Sequence, residues 1–249
     1  MPQIDQSAEA STTYSPSMLQ GSYIDPEVDR NRYPYHLAIS SPATTFLYRV
    51  VKRSFDITFA LLALPVFLIV GTLIAASIYL NSPGPVMFSH RRIRRGGKLF
   101  RMWKFRTMCL DASKVLEEYL EVHPESRTEW ALTHKLKKDP RVSAVGLFLR
   151  RTSLDEIPQI LNILSGTMSF VGPRPIVTAE VQKYGQDFRY YTAVKPGLTG
   201  LWQTSGRSSL SYAQRVALDR FYVENWSLWL ELKILFRTIR TVIKLDGAY

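Results

Sequence analysis

Asp155 and Glu156 stand side by side in the stretch LRRTSLDEIPQ, with Arg150 and Arg151 just before them and Pro158 just after. Paired carboxylates near guanidinium groups suit two kinds of chemistry: holding a divalent cation, or attacking phosphorus. The local pattern also predicts their setting. Ser153 and Glu156 match the S-x-x-E capping box, and proline is tolerated in a first helical turn but not deeper. A helix is therefore expected to start close to Asp155 and to close at Gly166. A helix start carries partial positive charge and unpaired N–H groups. With Arg150 and Arg151 nearby, Asp155 is expected to stay ionised at neutral pH and to hold Mg2+ or attack phosphorus. Successive helical residues point about 100° apart, so the two carboxylates need not share one task.

Further stretches place cations where a phosphate can meet them. MSFVGPRP sets Arg174 between two prolines, which restrict the backbone and can pre-aim a guanidinium that forks onto phosphate oxygens. KPGLTGLWQ offers Lys195 and Gln203 around two glycines, and TSGRSSL places Arg207 after a glycine. GKLFRMWKFRTM alternates in part, as a short strand does, and presents Arg101, Lys104 and Arg106 either to phosphates or to lipid headgroups. The chain has no G-x-x-x-x-G-K-[ST] loop and no dinucleotide fingerprint. Its 4 histidines and 1 cysteine lack zinc-like spacing, and Cys109 alone cannot form an internal disulfide.

The elements that must position these groups are set by charge and hydropathy. Across 249 residues, 32 Lys+Arg against 21 Asp+Glu leave a net charge of +11, which points to phosphate-bearing partners. From Ile57 to Leu80 the chain carries no charge; as a straight helix this run measures about 36 Å, enough for a hydrocarbon core of about 30 Å. Pro65 divides it and predicts a bend. Arg49, Lys52 and Arg53 precede the run, while Arg91, Arg92, Arg94, Arg95, Lys98, Arg101, Lys104 and Arg106 follow it. Positive charge marks the cytoplasmic side. A re-entrant hairpin satisfies both flanks and a span satisfies one, which leaves both readings open at this point.

Residues 1–45 are polar, rich in Ser, Thr, Pro and Tyr, and read as a disordered tail with no signal peptide. Residues 46–85 form the membrane helix, ended by NSPGPV, and residues 86–249 form the remaining domain. Within it, Asp111–Pro124 is expected to be an amphipathic helix with Ala112, Val115, Leu116, Tyr119 and Leu120 on its apolar face. At the C-terminal end, Leu228, Leu232, Leu235, Ile239 and Val242 recur at helical spacing beside a stripe of Lys233, Arg237, Arg240 and Lys244. That pattern fits a helix lying among headgroups of anionic lipids, or equally one packed on the core with a solvated basic face.

Taken together, VVKRSFDI, SPGPVMFSHRRIRRGGKLFRMWKFRTM, the segment from KKDPRVSAVG to MSFVGPRP, KPGLTGLWQTSGR and FYVENWSLWLELKILFRTI resemble the bacterial sugar transferases, the monotopic polyprenyl-phosphate phosphoglycosyl transferases. The match runs in order from Tyr48 to Tyr249, and the chain resembles the compact catalytic form, without the extra membrane helices and upstream domain of larger members. The resemblance implies an α/β, mainly helical monotopic protein: a re-entrant helix hinged at Pro65, interfacial amphipathic helices, and a small catalytic domain at the cytoplasmic face of the bacterial inner membrane. The serine that often precedes the family's hinge proline is Leu64 here. The implied reaction moves a hexose 1-phosphate, of galactose or glucose, from a UDP-sugar to undecaprenyl phosphate with release of UMP, beginning an exopolysaccharide or O-antigen repeat. It further implies Asp155 as nucleophile, a phosphosugar–aspartate intermediate, Glu156 as its partner, and Mg2+ nearby. Arg174, Lys104, Arg106, Arg150 and Arg207 are then the expected phosphate contacts. Polysaccharide assembly proteins are expected partners, and the alternative function is a non-catalytic membrane scaffold for them. Nucleic acid is not expected, because the basic residues crowd beside the apolar helix and no nucleic-acid motif accompanies them.

Overall fold

A computed structural model describes residues 39–133, 136–206 and 209–243. Helix α1 (Phe46–Asn81) begins where the Thr45 side chain accepts the Tyr48 N–H, and its long apolar run continues as helix through Pro65. Thr72 and Ser77 donate their hydroxyls to Leu68 O and Leu73 O on the same helix, so neither needs water. The helix ends where the Ser82 N–H returns to Ile78 O ahead of Pro83. One face is covered by the rest of the chain through Ala60, Ile74 and Ile78; Leu61, Leu62, Val66, Leu68, Ile69, Leu73 and Leu80 stand exposed. Among the described residues it is the one helix long and apolar enough to cross a membrane. An exposed apolar surface of this extent marks association with a membrane.

Both ends of α1 are fixed to the same body. Near its start, Arg53 donates to Ile163 O and Leu164 O, and Lys52 meets Glu231. Near its end, Ile74 and Ile78 pack with Phe105 and Leu149, and Arg106 donates to Ser82 O. Residues 39–45, assigned above to the polar tail, take part in this packing. Pro42–Thr44 form a short 3-10 turn, Ala43 is buried, and the Ser41 hydroxyl donates to Val223 O. Residues 1–38 lie outside the described residues.

Among the described residues the body is mainly helical with two small sheets. Strands β1 (Met87–Ile93) and β2 (Leu99–Phe105) form an antiparallel hairpin, with Phe88 opposite Lys104 and Arg92 opposite Phe100. The sequence pattern predicted β2; β1 carries four consecutive basic or polar side chains, Ser89 to Arg92, and has no apolar alternation to announce it. Helices α2 (Ala112–Val122) and α3 (Pro124–Thr133) follow, and α2 covers the face expected, with Leu116 buried and Ala112, Val115, Tyr119 and Leu120 half-buried.

Helix α4 (Ala144–Thr152) leads through a single 3-10 turn, Leu154–Glu156, into α5 (Gln159–Leu164), which closes at Gly166 with φ 77°. Strand β3 (Ser169–Val171) pairs in parallel with β4 (Gly197–Thr199), between them α6 (Val181–Tyr184) and α7 (Phe188–Ala193). This pair approaches so closely that a Cβ on Gly197 would lie 2.1 Å from Gly172 N, and only glycine fits there. Helices α8 (Tyr212–Glu224) and α9 (Leu228–Ile243) complete the body.

Helix α9 has three faces where the sequence suggested two. Glu231 and Ile234 are buried in the body; Leu228, Trp229, Leu232, Phe236 and Ile239 are exposed; Lys233, Arg237 and Arg240 are exposed as well. Leu235, one of the apolar residues recurring at helical spacing, packs against the core. Val242's side chain and Lys244 lie outside the described residues.

Candidate functional site

Ser153 decides the setting of the carboxylate pair. It adopts the left-handed conformation (φ 58°, ψ 17°) that ends α4, and its N–H returns to Arg150 O and Leu149 O. A residue closing one helix in this way cannot also cap the next, and its side chain makes no cap hydrogen bond. The expected capping box is therefore absent. Asp155 and Glu156 lie in the short 3-10 turn, before Pro158 and α5, and not in the first turn of a long helix.

What the turn lacks in helix dipole, β2 supplies as charge. Lys104 Nζ lies 3.1 Å from Asp155 Oδ2 and 2.7 Å from Glu156 Oε1, so one ammonium joins both carboxylates. Asn162 holds the strand at this distance. Its Oδ1 accepts the Trp103 N–H (3.0 Å), and its Nδ2 donates to Arg101 O (2.8 Å) and to Thr167 Oγ1 (3.2 Å). A buried side-chain amide that satisfies the backbone on either side of a strand residue locks that strand's register. The sequence marked Asn162 only as part of a helix; its role depends on a strand about 60 positions earlier.

Asp155 is buried, with 8% of its surface exposed. Burial raises its carboxyl above the ordinary value, and Glu156 adds to the rise; Lys104 and Arg150 oppose it without cancelling it. Asp155 is thus a more basic carboxylate than its arginine neighbours alone suggested. Burial alone would lower the Lys104 ammonium, but Glu156 and Asp155 outweigh it and hold the group above its usual value. Arg150, in the last turn of α4, is aimed by donating from Nε to Thr107 Oγ1 at 2.9 Å.

Arg174 stands exposed between buried Pro173 and Pro175, a free-reaching guanidinium on a rigid base. It lies 6.0 Å from the buried Trp202 ring, whose other neighbour is Arg215 at 4.9 Å. Arg106 goes elsewhere: it is buried and donates to Ser82 O at the end of α1, so the structure gives it a helix-end carbonyl where a phosphate was expected. Arg207 lies outside the described residues. Asp155, Glu156, Lys104 and Arg150 therefore come together as expected, and one neighbour went unnoticed. Arg92, read from sequence only as part of the basic flank, lies within electrostatic reach of both Arg174 and Glu156.

Among the described residues no group of three or more His, Cys, Asp or Glu side chains could hold a metal. Asp155 Oδ1 and Glu156 Oε2 take no hydrogen bond from the described residues, since Lys104 uses the other oxygen of each. Two available carboxylate oxygens fit the way Mg2+ is held, by one or two carboxylates together with substrate phosphates and water.

The chain belongs to the bacterial sugar transferase family, whose model matches residues 47–245. It is 48% identical over 206 residues to a protein of Salmonella typhimurium named undecaprenyl-phosphate galactose phosphotransferase, covering 81% of this chain and 42% of that one. The exopolysaccharide production protein ExoY of Rhizobium meliloti is 45% identical over 216 residues, covering 87% of this chain and 96% of that protein. An Escherichia coli protein named UDP-glucose:undecaprenyl-phosphate glucose-1-phosphate transferase is 40% identical over 199 residues, covering 77% of this chain and 40% of that one. The chain therefore spans less than half the length of the Salmonella and Escherichia coli relatives.

Proposed function

We propose that the protein transfers a hexose 1-phosphate from a UDP-sugar to undecaprenyl phosphate, the first membrane step of an exopolysaccharide or O-antigen repeat. The observation that carries this reading is the buried Asp155 carboxylate held at 3.1 Å from Lys104, which also pairs with Glu156. The names of the relatives support the donor and acceptor classes. In the first displacement an Asp155 oxygen attacks the sugar-bearing phosphorus; the bond from that phosphorus to the bridging oxygen breaks and UMP leaves. In the second, an oxygen of undecaprenyl phosphate attacks the same phosphorus, the bond to Asp155 breaks, and the lipid carries a diphosphate sugar. A carboxylate nucleophile lets a soluble donor and a membrane-bound acceptor react in turn.

Each neighbour has a task in this scheme. Lys104 counters the charge that burial would otherwise drive off Asp155, and it neutralises Asp155 when the carboxylate departs. Arg150 and Arg174 stabilise charge on the phosphates, where positioned cations are most effective. Glu156 orients the acceptor phosphate or handles its proton. When bound, Mg2+ supplies charge neutralisation on the diphosphate, with Asp155 and Glu156 as its protein ligands. The purified protein, with Mg2+ and undecaprenyl phosphate, is expected to release UMP from UDP-galactose or UDP-glucose. UMP release from no member of a UDP-sugar panel would favour the scaffold reading.

The same proposal places the body at the cytoplasmic face of the bacterial inner membrane, with α1 entering and leaving one leaflet about Pro65. The attachment of both helix ends to one body supports this, because a crossing would separate them. Exposed apolar and basic faces on α9 support its contact with anionic headgroups. Cysteines at Pro42 and Ser89, in a protein lacking Cys109, are both expected to escape a membrane-impermeant thiol reagent in intact cells and to react after permeabilisation. Labelling of either one in intact cells would overturn the hairpin.

A further inference from the structure

Arg92 and Arg174 are brought together by backbone, not by mutual attraction. The Ile93 N–H donates to Ile176 O at 3.0 Å. The buried Tyr191 hydroxyl donates to Ile93 O at 2.7 Å and accepts the Ile176 N–H at 3.2 Å. Three hydrogen bonds therefore tie the residue after Arg92 to the second residue after Arg174. The end of β1 and the proline-braced loop cannot drift apart while this knot holds.

Among the described residues Arg92 lacks an adequate counter-charge. Burial, then the neighbouring Arg174, lowers Arg92 below its ordinary value. Arg92 Nε is buried and has no hydrogen-bond partner among the described residues. Its paired carboxylate is Glu180, at 3.8 Å from Nη1, beyond hydrogen-bond length, and that same Glu180 oxygen already accepts the Val177 N–H at 3.0 Å. Two guanidiniums whose backbones the fold ties together, one with a buried Nε that has no partner among the described residues, are the arrangement of a site made for an anion.

Its position identifies which anion. Residues opposite one another in the hairpin share a face, so Arg92 and His90 lie on the same face as Lys104. Consistent with this, burial lowers His90, and Arg92 and Lys104 lower it further. Glu156 in turn acts on Arg92. Lys104, on the carboxylates, and Arg92 thus share one face of the hairpin, and the knot at Ile93 and Ile176 sets the Arg174 loop next to Arg92.

We propose that Arg92 and Arg174 form a paired guanidinium clamp for the two linked phosphates of the nucleotide donor, with Tyr191 as the knot that sets their spacing. This deepens the transferase reading and rests on it for the identity of the donor, but the clamp itself is a statement about diphosphate binding.

Calorimetry with inorganic pyrophosphate on the purified full-length protein tests it. Arg92→Gln is expected to weaken pyrophosphate binding at least tenfold, with a smaller loss for inorganic phosphate. Glu180→Gln, which removes the competing carboxylate, is expected to leave pyrophosphate binding equal or tighter. If Arg92 served only to pair with Glu180, the two variants would change binding and melting temperature alike, and the clamp would fall. It would also fall if wild-type protein failed to bind pyrophosphate. In turnover assays Arg92→Gln is expected to raise KM for the UDP-sugar and not for the lipid; a rise in the lipid KM alone would overturn the assignment to the donor. Arg92-dependent pyrophosphate binding in a protein that releases no UMP would keep the clamp and remove the transferase reading. UMP release together with unchanged pyrophosphate binding by Arg92→Gln would do the reverse.

Discussion

Asp155→Asn is expected to fold, reach the membrane and lose UMP release by on the order of 10^4-fold or more, the scale seen when a covalent nucleophile is removed. The amide keeps the shape and volume of the carboxylate, and it removes the buried charge that Lys104 balances. Glu156 keeps its own 2.7 Å contact with the ammonium, so Lys104 is not left without a partner. Melting temperature is therefore expected to move little while turnover collapses. The wild-type pH profile gives a second reading of the same group. Asp155 attacks only when deprotonated, and burial raises its carboxyl above the ordinary value. Activity is then lost as pH falls through that raised value, so the acid limb of kcat/KM is expected above the usual carboxylate range. Near-normal UMP release by Asp155→Asn, or an acid limb at or below the ordinary aspartate value, would remove Asp155 from the nucleophile's role.

How much of this was legible in the sequence depends on the range over which each feature is determined. The apolar run of α1, the covered face of α2 and the helix closing at Gly166 follow from local composition and spacing, and the structure agrees with each. The nearness of Arg150 to Asp155 was readable as a charge pattern; Lys104, 51 residues earlier, was expected on a phosphate, and its pairing with the carboxylates was not. Ser153 was not, because the S-x-x-E pattern serves a helix start, while the end of α4 claims the same serine for a left-handed turn. Arg106 and Arg92 look alike in the basic run after α1; one turns back to Ser82 O and the other faces the site. The difference lies in what each meets, the end of α1 for Arg106 and, for Arg92, the Tyr191 knot, which joins positions roughly 80 to 100 residues apart. Lys52 shows the same limit at larger cost. It belongs to the basic flank before the apolar run, yet it is 4% exposed.

Lys52→Met is accordingly expected to destabilise the protein by about 3–5 kcal/mol, the range for removing one partner of a buried ion pair. Lys52 Nζ lies 2.6 Å from Glu231 Oε2 and 3.3 Å from Asp56 Oδ1, with all three side chains buried. Glu231 Oε1 also accepts from Tyr222 (2.5 Å) and Trp226 (2.8 Å), and Asp56 Oδ1 from Ser169 (2.8 Å) and the Phe170 N–H (3.2 Å). One ammonium thus serves two carboxylates, and Asp56 Oδ2 is buried with no hydrogen bond from the described residues. Methionine fills the space but leaves both charges without a cation, where desolvation is most costly. The network joins the start of α1 to β3, α8 and α9, so its failure would free the membrane helix from the body. Lys114→Met supplies the contrast: its pair with Glu118 spans 3.8 Å with both side chains mostly exposed, and the expected change is about 0.5 kcal/mol or less. Adding Glu231→Gln to Lys52→Met removes one of the stranded charges, so the double variant is expected to melt above the sum of the two single effects. Thermal unfolding in detergent, followed by tryptophan fluorescence, distinguishes these cases. A Lys52→Met protein as stable as Lys114→Met would mean that the buried charges are reached by water and that packing alone holds α1 in place.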